Sequence, residues 1–424
     1  MVSLDASGRS QGLDGRSCGN PQGELAVASR SGSPEAPKRE LEELILEEVR
    51  ASGPITVARF MELALYHPAH GYYSRGPERS SRKGHFVTSP EIGAVYGRLW
   101  CKGFEEIWHA TGAPDEFTVA EVGPGEGSFI AAVLAASKGP FRDALQVHLI
   151  ERIPALRRRQ EMVLGDLSGE TQVTWHEDLT GVPPRAAGCV FANEVLDNVP
   201  VHVVVGTPEG PSELYVAATQ KELTEELGPL SPEVVAYAEK MPALLPGARI
   251  EIRPQTRTLL ADAASALEQG AIIIVDYGDE AAALASRSGG TLVCYSRNGT
   301  DDAFLRDVGH KDITAHVDWS ALRRDMTAVA LESDGPRLQR DVLRSLGTRA
   351  LEERLRNDHD QAVAAGDGAQ AFRALATRQS LATLTDEGGL GGLGVMMGTK
   401  GLPRPLFSDE GKKNDRPPRS RSSE

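Results

Sequence analysis

Cysteine is scarce and scattered. Cys18, Cys101, Cys189 and Cys294 are the only four in 424 residues and form no C-x-x-C pair, which excludes a disulfide framework and a zinc ribbon and fits a reducing compartment. Long apolar runs are missing as well: no uninterrupted stretch approaches the roughly 18 residues that would cross a membrane as a helix. Basic charge is in deficit. Forty-six Lys and Arg stand against 60 Asp and Glu, a formal charge of −14 with a pI near 5.3. That balance argues against general affinity for nucleic-acid phosphates or an anionic membrane surface. No G-x-x-x-x-G-K-[ST] loop for nucleoside triphosphates occurs, and no repeat of solenoid length is present.

The ends of the chain are poor in apolar residues. Residues 1–36 are rich in Ser, Gly and Arg but carry Asp5, Asp14 and Glu24, so they match neither a secretory signal nor an acid-poor transit peptide, and a disordered leader is expected. The polar, proline-bearing 407–424 reads as a disordered tail. Between them the length suits one large α/β domain with a substantial insertion, or two closely packed domains.

Order is expected to begin in an N-terminal helical region, residues 37–112. Leu41, Leu44, Ile45 and Val49 form one apolar stripe at helical spacing. In the second helix, Thr56 suits the N-cap, with Ile55 and Phe60 as a hydrophobic staple. From about 113 to 406 the pattern alternates strand and helix: FTVAEV, VHLIE, GCVFANE and AIIIVDYG read as buried strands of a parallel sheet. Such a sheet is doubly wound and collects ligands at the carboxyl ends of its strands. An α+β insertion over about 201–256 reads as a hairpin turning near Pro208–Gly210, followed by a mainly helical KELTEELGPLSPEVVAYAEKM. The glycine-rich DEGGLGGLG reads as a flexible loop.

The stretch TVAEVGPGEGSF places Gly123, Gly125 and Gly127 directly after a strand. A dinucleotide fingerprint needs glycines at relative positions 0, 2 and 5. Here they fall at 0, 2 and 4, with Ser128 where the third is wanted. The tighter spacing, after a strand that ends in an acidic residue, is the form common in S-adenosylmethionine-dependent methyltransferases. Glu121 can then hold the cofactor's ammonium, Glu151 at the end of the next strand the ribose hydroxyls, and Asp178 in WHEDL the adenine amino group. A tight strand-to-helix turn flanked by harmless acids is the bland alternative.

More specific segments surround the loop. FMELALYHPAHGYYSRG, GHFVTSPEIGAVYG, HLIERIPALRRRQ, ANEVLDNVPVH, IIIVDYG, GTLVCY and DITAHVDW together resemble the MidA-like family, whose mitochondrial members are complex I assembly factors acting as protein arginine methyltransferases. The resemblance runs from about Ile55 to Leu406. It implies a class I methyltransferase fold with an N-terminal flap and an inserted lid, S-adenosyl-L-methionine as cofactor, and an arginine of a protein partner, such as a respiratory NADH dehydrogenase subunit, as acceptor. Thr88 and Ser89 match the flap's T-S-P-E turn, and His85 stands where the family usually has Asp. Asn193, Glu194, Asp197 and Pro200 match its N-E-x-x-D-x-x-P signature, with Asn193 on the cofactor side and Glu194 and Asp197 toward the acceptor. Asp197 can equally cap the following turn. His202 is either a proton acceptor or a packed strand residue.

In DITAHVDW, Ile313, Ala315, Val317 and Trp319 alternate with Asp312, Thr314, His316 and Asp318. A metal site at His316 lacks supporting ligands, so no metal is expected. A family member would work in the cytoplasm of a bacterium or the mitochondrial matrix of a eukaryote. The oligomeric state is left open, a homodimer included. The rival readings are a non-catalytic assembly protein that retains the cofactor, an NAD-dependent oxidoreductase disfavoured by the glycine spacing, and a small-molecule methyltransferase.

Overall fold

The computed structural model describes residues 36–75, 89–167, 171–238, 241–297, 299–402 and 406–407. The expected leader and tail lie outside these, apart from Ala36, which opens the first helix, and Phe407, which is buried in the core.

A seven-stranded sheet organises the chain. Its strands in chain order are β1 (Phe117–Val122), β2 (Leu145–Ile150), β3 (Val173–His176), β4 (Arg185–Asn193), β5 (Leu267–Asp276), β6 (Glu332–Leu338) and β7 (Gly394–Lys400). They lie in the spatial order β6-β7-β5-β4-β1-β2-β3. The first five run parallel, and β7 enters antiparallel between β5 and β6. All four strands read from the sequence are present. They form because runs such as Ile272–Val275 are β-branched and apolar on both faces, which only a sheet covered on both sides can bury. The chain leaves β1 toward one edge and returns at β4 to build the other, so the cleft opens where β1 and β4 diverge.

One face of the sheet packs against the helices Ala94–Ala110 and Ser128–Ala136 and the C-terminal helices, through Trp100, Phe104, Phe129 and Phe191. Helices Gln255–Ser265 and Trp319–Ala328 cover the other face. A second, antiparallel sheet is built from the insertion and holds Ile55–Thr56 against Val216 and Tyr215. On it lie the helices Ala36–Ser52 and Val57–Tyr66. Thr56 caps the latter, accepting the Arg59 N–H at 3.1 Å.

Three expectations are corrected. The insertion after its hairpin is not mainly helical: Leu223–Gly228 is an edge strand on Gly210–Ala218, and among the described residues of that segment only Pro232–Ala238 is a helix. Helical charge spacing in KELTEELG loses there to pairing with an available strand edge. Leu44 is exposed, and Leu46 joins Leu41, Ile45 and Val49 in the core. The glycine-rich segment is a packed corner rather than a loose loop, since a Cβ on Gly391 would lie 2.5 Å from the Thr385 carbonyl carbon.

Close approach also decides Gly97, where helix Ala94–Ala110 crosses helix Ser128–Ala136. A Cβ there would fall 2.6 Å from Ala132 Cβ and 2.7 Å from the Phe129 carbonyl. Gly97→Val is therefore expected to push the two helices apart and cost about 1–3 kcal/mol of stability, read as a lower urea midpoint with unchanged slope.

Candidate active site

The glycine loop leaves β1 with all three glycines left-handed: φ is 64° at Gly123, 53° at Gly125 and 82° at Gly127. The three serve different ends. Gly123 faces Val195, whose Cγ2 would lie 3.0 Å from a Cβ, and Gly127 backs onto Gln160 at 3.3 Å, whereas a Cβ on Gly125 would enter open space. That space is a cavity of about 860 Å³ lined by Gly123, Gly125, Glu151, Asp178, Glu194 and His202, among others. Loop, second strand and β4 turn thus meet in one cleft.

Gln160, fully buried, stitches the cofactor side together. Its Nε2 donates to the Gly125 carbonyl at 2.8 Å and to Glu151 Oε2 at 3.2 Å, while its Oε1 accepts from the Trp175 indole at 2.9 Å. Glu151 also accepts the Ile153 N–H at 2.8 Å, so its carboxylate is aimed before any ligand arrives. Asp178 stands exposed at the rim. It caps a short turn by accepting the Thr180 N–H at 2.9 Å, and the Thr180 hydroxyl and backbone hold its carboxyl below the usual range.

Glu121 is 4 % exposed, and its Oε2 has no hydrogen-bond partner among the described residues. Burial pushes its carboxyl up from 4.5 to about 8. Ser89, wholly buried, donates its N–H to Glu194 Oε1 at 3.0 Å, and Gln339 donates to its hydroxyl at 3.1 Å. Thr88 and His85 lie outside the described residues.

Beyond β4 the backbone turns sharply. Glu194 sits at φ 51°, a left-handed conformation that non-glycine residues adopt mainly where the surroundings enforce it. Asn193 donates to Glu194 Oε1 at 2.9 Å, and its own carbonyl accepts from Tyr96. Leu196–Asn198 form a single 3-10 turn, so Glu194 and Asp197 do not share a helix. Nor does Asp197 cap that turn. Asp276 does, its Oδ2 accepting the N–H groups of Val195, Leu196 and Asp197 at 3.2, 2.9 and 3.3 Å.

Asp197 is instead buried, with Oδ1 unpartnered among the described residues. Burial, then Asp276, Asp312 and Glu194, push its carboxyl well up, against the opposing pull of Arg253. Nearby, the stacked Tyr66 and Tyr73 stand beside Asn198 and Asp312: Tyr73 bonds to both, at 2.9 Å each, and Asn198 donates to Asp312 at 2.9 Å.

His202 is a packed strand residue, with Nδ1 2.7 Å from Glu213 Oε1, and it also lines the cavity. His316 is pushed down to about 4 by burial, then by Arg287. Among the described residues no group of three His, Cys, Asp or Glu side chains could hold a metal ion, and no helix is long and apolar enough to cross a membrane.

A family of S-adenosyl-L-methionine-dependent methyltransferases matches residues 100–337. The chain belongs to that family. Protein arginine methyltransferase NDUFAF7, mitochondrial, of Homo sapiens is 30% identical over 334 residues, covering 72% of this chain and 72% of the relative. The Mus musculus protein of that name is 29% identical over 330 residues, covering 72% and 73%. A COG1565 superfamily member from Burkholderia thailandensis, solved with S-adenosyl-homocysteine bound, superposes with a TM-score of 0.76 at 25% identity, over 88% of this chain and 96% of its own. The protein is an S-adenosyl-L-methionine-dependent methyltransferase with the α/β fold expected of one.

Gln160, Asp276, Asn198 and Glu213 were not singled out from the sequence. Three of them lie inside segments that carried the resemblance: Gln160 ends HLIERIPALRRRQ, Asp276 is the acid of IIIVDYG and Asn198 sits in ANEVLDNVPVH. For Asp276 the available signal was an acid placed directly after the apolar run IIIV.

The state of Glu121 has a consequence for stability. Between its unfolded value near 4.5 and its folded value of about 8, the folded carboxyl keeps a proton that the unfolded chain releases, so stability falls as pH rises through that window. Glu121→Gln has no proton to lose and is expected to gain on the wild type by about 1 kcal/mol per pH unit, measured by urea unfolding at about pH 5, 6.5 and 8. A difference independent of pH would sink the assignment.

Proposed function

We propose that the protein transfers the methyl group of S-adenosyl-L-methionine to an arginine side chain of a protein partner. The observation that carries this reading is the charge of the cavity's acceptor half. Glu194, Glu233 and Asp262 line it, with Asp197 and Asp312 beside them. Its two lining arginines are already committed, Arg59 to Glu48 at 2.8 Å and Arg152 to Glu62. A surplus of carboxylates in a partly desolvated cleft favours a cationic acceptor, and a planar guanidinium can take two of them at once. The names of the NDUFAF7 relatives support the same acceptor.

In this reading the glycine loop lies under the cofactor's amino-acid end, and Glu121 meets its ammonium. That cation supplies a counter-charge to a carboxyl that burial pushes up. Glu151 takes the ribose hydroxyls and Asp178 the adenine amino group, with Asn193 and the Ser89 flap turn bordering the amino-acid end. Glu194 and Asp197 orient the guanidinium, and Tyr66 and Tyr73 flank its approach. When bound, the cofactor supplies an electrophilic methyl on a good leaving group. The protein's part is to align the acceptor with it and to exclude water. A subunit of the respiratory NADH dehydrogenase is the partner to test first, in the cytoplasm of a bacterium or the matrix of a eukaryote.

The test is incubation with labelled S-adenosyl-L-methionine in a lysate lacking the protein, followed by mass spectrometry. Label is expected on arginine, and label confined to small metabolites would overturn the reading. Asp197→Asn is expected to lower transfer about tenfold or more, consistent with loss of a charge-assisted contact, while S-adenosylhomocysteine binds within about twofold of wild type by calorimetry. Gly125→Val, whose side chain would enter the cavity, is expected to abolish that binding.

A further inference from the structure

One imidazole in the acceptor half of the cavity is held by a dedicated frame. His202 opens the strand His202–Thr207, and Glu213 stands on its hairpin partner Gly210–Ala218. The register puts Glu213 opposite Val204, so His202 and Glu213 project from the same face of the second sheet. Glu213 Oε1 lies 2.7 Å from His202 Nδ1, and Oε2 accepts the Ser231 N–H at 2.6 Å. Glu213 is fully buried and His202 is 4 % exposed. Burial on its own would raise the Glu213 carboxyl, but the hydrogen bonds from His202 and Ser231 outweigh it and hold the acid below its usual range.

An ionised carboxylate only accepts, so it selects the imidazole tautomer with hydrogen on Nδ1. The lone pair then resides on Nε2. That atom has no hydrogen-bond partner among the described residues, and His202 lines the cavity. Other titratable groups surround the pair: Tyr215 on the hairpin, Glu233 on helix Pro232–Ala238, Arg253 next to the paired Ile252, and Asp262 on helix Gln255–Ser265. Glu194, Arg59 and Glu62 line the same cavity from the β4 turn and the N-terminal helix. Among these groups only Glu213 hydrogen-bonds the imidazole.

We propose that His202 accepts the proton shed by the methyl acceptor and that Glu213 is its positioning residue. The identity of the acceptor rests on the arginine reading above. As the acceptor nitrogen bonds to the methyl carbon, the carbon–sulfur bond breaks and its electron pair stays on sulfur. One N–H proton of the acceptor passes to Nε2 of neutral His202. A guanidinium cation enters and a methylated guanidinium cation leaves, and the positive charge of the sulfonium ends on the imidazolium, facing Glu213. Solvent then takes the proton.

The experiment follows the initial rate of label transfer from S-adenosyl-L-methionine into a lysate lacking the protein, over about pH 5 to 9, counted in all acceptors together. The wild-type rate is expected to fall on the acid side of this range. Glu213→Gln is expected to lower the neutral rate by about a hundredfold and to move the acid limb to lower pH, because an amide stabilises imidazolium less than a carboxylate does. His202→Ala is expected to lose the rate and recover part of it with added imidazole. Both variants should keep S-adenosylhomocysteine affinity by calorimetry, which separates loss of the relay from loss of the fold. In wild-type protein with 15N-labelled histidine, NMR should show His202 protonated on Nδ1 and bare on Nε2. An Nε2-protonated tautomer, no imidazole rescue, or an unchanged Glu213→Gln profile overturns the proposal. Should Glu213→Gln lose S-adenosylhomocysteine binding, the tautomer and the rescue decide. Label found outside arginine overturns the acceptor reading instead, while the pH comparison still decides the role of His202.

Discussion

Four backbone N–H groups converge on one buried carboxylate, and the cleft takes its shape from them. Asp276, at the end of β5, receives Val195, Leu196 and Asp197 on one oxygen and Tyr277 on the other. Hydrogen bonds to the ionised form offset part of what burial costs it, and Arg253 contributes in the same direction. The turn after β4 is thereby tied to the strand beside it. Glu194 is held left-handed, Val195 is pressed to the glycine loop, and Asp197 Oδ1 is buried with no hydrogen-bond partner among the described residues.

The second theme is carboxyls raised by burial. Glu121 and Asp197 are enclosed, each has an oxygen unpartnered among the described residues, and each is pushed up by burial. A buried acid left in this state is destabilising unless something completes it. In the function proposed above, the ammonium of the methyl donor is the partner of Glu121. Glu213 is the contrasting case: equally buried, it has both oxygens satisfied and is held ionised. Completed within the fold, Glu213 fixes the orientation of the His202 ring.

Much of the fold was legible because it rests on local pattern. Short apolar runs announced β1, β2, β4 and β5, and Thr56 with Ile55 and Phe60 announced a helix start. The alternation in DITAHVDW appears as alternating burial from Ile313 to Trp319. Strands β3, β6 and β7 went unread, because short or glycine-bearing segments such as GVMMGTK become strands only when a partner edge is present. The same reason hid Leu223–Gly228, whose charges suit a helix and whose neighbour makes it a strand.

By itself the sequence determined what a few adjacent residues can encode: a glycine loop after β1, acids at strand ends, and a family signature after β4. Tertiary structure alone decided which acids stay charged. Whether Asp197 caps a turn, whether Asp276 does so in its place, and whether His202 is packing or poised depend on contacts between residues up to 81 positions apart. Charge in a protein interior is set by what folding brings within hydrogen-bond reach, and no local spacing records that.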